Sequence, residues 1–213
     1  MSTTTRSIAV LATTTLLAAG GLIGATTSAD AAPAPHRGNT SLADVLAADG
    51  HDYDDNWKDF DILDAAVTTV LTAKPDSPVA VLADGSVRLT AFAPTDRAFQ
   101  RLAKALTGST PATEEDTFNA IAGAAGVDTV ETVLLYHVVP GKTLGSAKVL
   151  KADGAKLTTA QGGKVTVQVK KKQVTLVDKD PDLRNPRVIA VDINKGNPQI
   201  AHAIDRVLLP VDL

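Results

Sequence analysis

The groups in this chain that can do chemistry are its four histidines, its acidic runs and one run of lysines. His36, His51, His137 and His202 lie far apart in sequence, and no Gly-x-Ser-x-Gly elbow, His-Glu-x-x-His helix or Ser-x-x-Lys motif accompanies them. The chain has no cysteine, which removes thiolate nucleophiles, disulfides and thiolate metal sites together. A triad assembled from distant residues is the one hydrolytic arrangement left open. The expectation is a protein that is not an enzyme and holds no cofactor.

The acidic runs invite a calcium reading and then refuse it. Asp52, Asp54 and Asn56 follow the first ligands of an EF-hand loop, but Trp57 stands where its sharp turn requires glycine and Leu63 where its bidentate glutamate belongs. Asp178, Asp180 and Asp182 fail in the same way, with Leu183 and Ile189 at those two positions. Both runs read as solvated acidic loops, and no metal is expected. Lys170, Lys171 and Lys172 can attract sulfated sugars or anionic surfaces by charge. The competing reading, a solvated strand end whose lysines discourage sheet-to-sheet pairing, is preferred.

The elements that position these groups follow from periodicity. Val87, Leu89, Ala91 and Ala93 share one strand parity and Arg88, Thr90 and Phe92 the other. The period changes at Pro94: Thr95 is an N-cap type, Asp96 suits the first turn, and Phe99, Leu102, Ala103 and Leu106 recur at helical spacing up to Gly108. Earlier, Ser41 caps a short helix from Leu42 to Ala48. Asp61 caps a longer one striped by Ile62, Leu63, Ala66, Val67, Val70 and Leu71. Val79 to Ala83 and Val87 to Ala93 flank Asp84-Gly85-Ser86 as a hairpin would.

Thr113 with Asp116 then opens an insert ending at Gly126, and Asp128 with Glu131 opens a helix ending at Tyr136. A short helix is expected from Ser146 to Ala152. Strands follow around Val165 to Val169, Val174 to Leu176, Val188 to Ile193 and Ile200 to Leu209. Helices first and a strand meander after them give an α+β fold with mostly antiparallel pairing.

One basic residue, Arg6, precedes an apolar stretch from Ile8 to Ala25, and Ala29-Asp30-Ala31 offers a small–x–small cleavage site. Residues 1–31 therefore read as a signal peptide, residues 32–58 as a leader with a short helix and an acidic segment, and residues 59–213 as the domain. Removing 31 of 213 residues leaves 182, enough for one monomeric domain that is stable without disulfides. The lost segment holds one arginine and one aspartate, so the charge stays at −3, which argues against nucleic acid as a partner. No later apolar run reads as a transmembrane segment.

Three blocks then stand in order. They are Thr90 to Phe99 (TAFAPTDRAF), Leu134 to Lys142 (LLYHVVPGK) and Ile200 to Pro210 (IAHAIDRVLLP). Together they closely resemble the first signature block, the Tyr-His motif and the second signature block of a fasciclin domain. The likeness covers roughly Asp59 to Leu213, and the chain departs from it in a long segment between Thr107 and Val130 and in its Ala-His-Ala approach to Ile204 and Asp205.

The resemblance implies a fasciclin-like α+β fold. It also implies a secreted, noncatalytic role in extracellular adhesion or surface and matrix binding, with an unidentified extracellular protein or cell-surface component as partner. Thr90, Phe92, Pro94, Thr95, Asp96, Phe99, Ile204, Asp205, Leu208 and Pro210 are its signature positions. Leu134, Leu135, Tyr136, His137, Val138 and Val139 correspond to a motif that animal members use in receptor recognition. Physical chemistry favours a different role for Tyr136 and His137, buried with their polar atoms satisfied internally; the resemblance, which brings the first block and the Tyr-His motif together, implies Asp96 as the partner of His137. Two other functions stay open: a carrier of a small apolar ligand in a cleft beside Trp57 and Phe60, and a hydrolase centred on His137 or His202.

Overall fold

The computed structural model describes residues 38–54 and 56–211, which fall in one compact unit. The expected signal peptide, residues 1–31, lies outside the described residues, as does the start of the leader. The helices are α1 (Leu42–Leu46), α2 (Asp61–Ala73), α3 (Asp96–Thr107), α4 (Glu114–Tyr136) and α5 (Ser146–Val149). The strands are β1 (Leu89–Pro94), β2 (Val138–Pro140), β3 (Lys156–Thr158), β4 (Lys164–Lys170), β5 (Gln173–Val177), β6 (Val188–Ile193) and β7 (Gln199–Ile204). They form one sheet in the order β2-β1-β7-β6 and another in the order β3-β4-β5. Every pairing between strands is antiparallel except β1 with β7, which run parallel from Leu89–Gln199 to Pro94–Ile204. The fold is α+β, as expected.

β1 is buried along its whole length, and its alternation sorts side chains between two cores. Leu89, Ala91 and Ala93 join Ile62, Val67, Phe99 and Leu134 under the helices; Phe92 joins Tyr136, Val165, Leu176 and Ile204 between the sheets. A central strand with both faces covered carries no polar face. Thr90, on the polar parity, is buried too, and its hydroxyl donates to the Lys142 carbonyl (2.7 Å) and accepts from Leu144 N–H (2.9 Å).

Several expectations need correction. The hairpin across Asp84-Gly85-Ser86 does not form, because Pro78–Ala83 is a 3-10 helix started by Pro78 and capped by the Ser77 hydroxyl. Pro78 fixes a helical φ and supplies no N–H, so the apolar run behind it turns rather than extends. The last strand stops at Ile204, and Val207 to Leu209 pack as irregular chain. Thr95 occupies the N-cap position of α3, but its hydroxyl makes no cap bond. Phe60, not Asp61, is the N-cap of α2, and Asp96 Oδ1 accepts from Ile62 N–H (2.8 Å) in the first turn of that helix.

The expected boundary at residue 59 does not separate leader from domain. Ser41 and Asp44 form a reciprocal capping box on α1, and Leu42 and Leu46 enter the helical core. Gln199, which the sequence reading passed over, fastens this segment: buried on β7, it accepts from Leu42 N–H (2.7 Å) and donates to the carbonyls of Val81 (2.7 Å) and Asp84 (2.8 Å).

α4 breaks at Gly126, where the insert was expected to end, and differs from expectation in other respects. Its 23 residues are, by length and composition, long and apolar enough to cross a bilayer, where no such run was expected. It is interrupted at Gly126, whose φ of 72° is left-handed, and it packs against α2 and α3. The Thr113 cap forms on Asp116 N–H (3.0 Å), whereas Asp128 and Glu131 reach across to Lys74 at the end of α2.

Candidate functional site

Tyr136 and His137 stand where α4 passes into β2, and both are buried. The Tyr136 hydroxyl donates to the Lys164 carbonyl (2.9 Å), and burial pushes its pKa up to about 12. His137 Nδ1 lies 2.7 Å from the Val133 carbonyl, and Nε2 accepts from Leu208 N–H (2.9 Å). That pair of partners selects the neutral ring protonated on Nδ1. Burial lowers its pKa to about 4. Asp96, the expected partner, is engaged instead with Ile62 N–H and with the Asp59 carboxylate. Leu134, Val138 and Val139 are buried and Leu135 is half-buried, so this stretch presents little side-chain surface.

The other signature residues are placed in the same framework. Pro94 closes β1, Phe99 packs in the helical core, and Ile204, Leu208 and Pro210 are buried. Asp205 Oδ1 accepts from Arg187 N–H (2.7 Å), and the Asp205 carbonyl accepts from Arg101 (2.6 Å).

Neither buried histidine is disposed for catalysis. His202 Nε2 lies 2.7 Å from the Leu144 carbonyl, and its Nδ1 accepts from Asp192 N–H (3.3 Å), so both rings spend both nitrogens on the backbone. His51 is exposed, and the Asp64 carboxylate 2.6 Å from its Nδ1 raises its pKa.

Asp52, Asp54 and Asn56 are exposed, as expected of a solvated loop, whereas the second acidic run is not one. Asp180 is buried, and its Oδ1 accepts from the N–H groups of Asp182 (2.9 Å) and Leu183 (2.7 Å), an internal turn. Asp178 Oδ2 accepts from Leu209 N–H (2.9 Å), and burial raises its pKa to about 6. In the first run, Asp54, Asp59 and Asp61 converge with Glu114 from α4. Asp96 touches this group, and burial, followed by the contact with Asp59, holds its pKa well above the usual carboxylate range. Lys171 and Lys172 form the exposed two-residue turn between β4 and β5, both with left-handed φ (50° and 66°).

An apolar cleft lies among α2, α3 and α4, with a volume of about 260 Å³. Ile62, Ala66, Leu102, Leu106, Ala125 and Val133 are among its walls, and His137 lies at its base. Leu106 is 39% exposed at its rim, and α4, despite its apolar composition, has only Glu114, Thr117, Leu134 and Tyr136 fully buried. The cleft is not where a carrier site was expected. Trp57 lies under the Arg97 guanidinium, 4.9 Å from the ring centroid, and Phe60 packs on the helical core. Phe118 and Ile121 also line the cleft.

A family model described as the fasciclin domain matches residues 65–210. The chain belongs to the fasciclin domain family. Among solved structures, this fasciclin domain is similar to one described as a FAS1 domain pair from the insect cell adhesion molecule fasciclin I. The identity is 16%, the TM-score is 0.46, and the match covers 68% of this chain and 45% of that one. The chain thus matches less than half the length of that domain pair. A search of curated proteins returns no match. Fasciclin domains are in general noncatalytic, adhesion-type binding domains of extracellular or cell-surface proteins.

Proposed function

We propose that this fasciclin domain is exported and works outside the cell as a noncatalytic module for adhesion or surface and matrix binding, with the cleft among α2, α3 and α4 as its recognition site. The observation that supports this reading is the cleft itself, an open apolar concavity walled by α2, α3 and α4. Apolar surface of this kind on a folded domain marks a place where something docks. Family membership supports the extracellular address and the adhesive class. The fixed backbone bonds of His137 and His202 support the absence of catalysis.

Leu106→Glu and Ala124→Glu place a charge at exposed positions of the cleft wall without touching either core. Each should abolish retention on cell-surface or matrix fractions while leaving the unfolding midpoint unchanged.

A second reading, a carrier of a small apolar ligand, is favoured by the volume of the same cleft, which suits a compact lipophilic molecule. Solvent extraction of purified protein followed by mass spectrometry separates the two. A lipophile present at one equivalent supports the carrier, and an empty extract supports docking of a partner's side chains.

A further inference from the structure

The carboxylates that converge at the start of the domain come from two separate places in the chain. Asp54 and Asp59 lie on the segment before α2, Asp61 is the first residue of α2, and Glu114 is the first residue of α4. One oxygen from each lies within 4.8 Å of all the others. Ca²⁺ takes oxygen ligands at about 2.3–2.6 Å, so opposite ligands of one ion stand about 4.6–5.2 Å apart. Mg²⁺, with ligands at about 2.0–2.1 Å in strict octahedral order, needs a tighter set.

A second observation comes from Asp96, the first residue of α3. It is fully buried, its carboxylate reaches that of Asp59, and Asp96 Oδ2 and Asp59 Oδ1 are both buried without a hydrogen-bond donor among the described residues. Among the described residues, no lysine or arginine forms an ion pair with Asp54, Asp59 or Asp96. Asp59 Oδ2 accepts from the Asn56 side-chain amide, and Asp54 Oδ1 accepts from Asn56 N–H (2.8 Å). Buried carboxylates are ordinarily paired with a cation or held on a metal. Asp59 links the two observations, since it contributes an oxygen to the converging group and its carboxylate also meets that of Asp96.

We infer that Asp54, Asp59, Asp61 and Glu114, backed by Asp96, form a site for a divalent cation of the size of Ca²⁺. Asp54 is exposed and leaves the site an entry and room for water, while Asp61 and Glu114 are buried and fix its floor. The site is not an EF-hand, because Glu114 comes from the start of a separate helix rather than from the loop that holds Asp54 and Asp59. Through Asp61, Asp96 and Glu114 the ion braces the starting ends of α2, α3 and α4, the three helices that wall the apolar cleft.

The test uses the full exported chain, stripped with EDTA and titrated with CaCl₂ to about 10 mM, above the range of the weakest extracellular calcium modules. Calorimetry should show one site, and saturating Ca²⁺ should raise Tm by about 5 °C or more. Tb³⁺ should give luminescence sensitised by Tyr53 and Trp57, and Ca²⁺ should displace it. Asp54→Asn keeps the acceptor for Asn56 N–H, so it should fold like the parent in EDTA yet require at least about tenfold more Ca²⁺. Asp59→Asn measures the competing arrangement, a proton shared with Asp96. The inference is overturned if the parent shows neither heat, Tm gain nor sensitised emission. It is equally overturned if Asp59→Asn is more stable than the parent in EDTA and in Ca²⁺ alike.

Discussion

His137 Nε2 accepts the backbone N–H of Leu208 at 2.9 Å, a bond that joins the Tyr-His motif to the second signature block across 71 residues. The same ring lies at the base of the cleft and is 4% exposed. It therefore acts as an internal strut between two stretches that would otherwise leave a buried N–H unmatched.

His137→Ala removes that acceptor, leaves the Val133 carbonyl without its donor and opens a cavity. The expected loss of stability is about 2–4 kcal/mol, read from the urea midpoint at unchanged slope. A change below about 0.5 kcal/mol would mean that the ring is a surface group.

The pH response of this strut has a definite sign. The folded pKa of about 4 lies below the ordinary value of 6.5, so below pH 6.5 the unfolded chain takes up a proton that the folded chain refuses. Its contribution is complete above pH 6.5 and declines as pH falls toward 4, by about 3 kcal/mol in all. Asp178, raised to about 6, works in the opposite direction over much of the same window, so a whole-protein stability curve blends the two. Imidazole resonances separate them: His137 should stay neutral at pH 5.5, where His51, raised by Asp64, is protonated. A His137 midpoint near 6.5 would contradict its burial.

Gln199 offers a sharper test of how the start of the domain is held. Gln199→Ala strands Leu42 N–H and removes the donor shared by two carbonyls, for an expected cost of about 2–4 kcal/mol. Hydrogen exchange at Leu42 should rise more than exchange in β4 and β5. Uniform change across the domain would argue against a local clasp.

The turn between β4 and β5 is predicted to gain from substitution. Lys171 and Lys172 hold left-handed backbone that asparagine and glycine adopt with far less strain. The double change Lys171→Asn with Lys172→Gly should stabilise the domain by about 1 kcal/mol, measured by denaturant melting. A loss of stability would show that the lysine side chains make contributions beyond the turn.

Much of this was legible in the sequence because it rests on local physics. The change of period at Pro94 marks the passage from β1 into α3, and apolar spacing locates α2. The burial of His137 follows from its apolar neighbours. What was not legible depends on partners distant in sequence. The parallel pairing of β1 with β7 joins Phe92 to His202, and no local signal announces it. Asp96 is the expected partner of His137 because the resemblance brings the first signature block and the Tyr-His motif together, yet the carbonyl one turn back and the Leu208 N–H serve the ring without burying another charge. Asp96 was left to serve α2 and the acidic group. The Val79 to Leu82 run misled because its apolar pattern fits either a strand or a tight helix, and Ser77 and Pro78 decide between them.

The central claim is that the cleft among α2, α3 and α4 does the binding, and retention of matched variants on cell-surface and matrix fractions tests it most directly. Leu106→Glu and Ala124→Glu, shown by melting to be as stable as the parent, are compared with the parent and with a Lys171→Asn, Lys172→Gly control at the far turn. The account predicts a loss of retention of at least about tenfold for the cleft variants, as expected when a charge enters an apolar docking surface, and none for the control. Equal retention of parent and cleft variants, all folded, would contradict it.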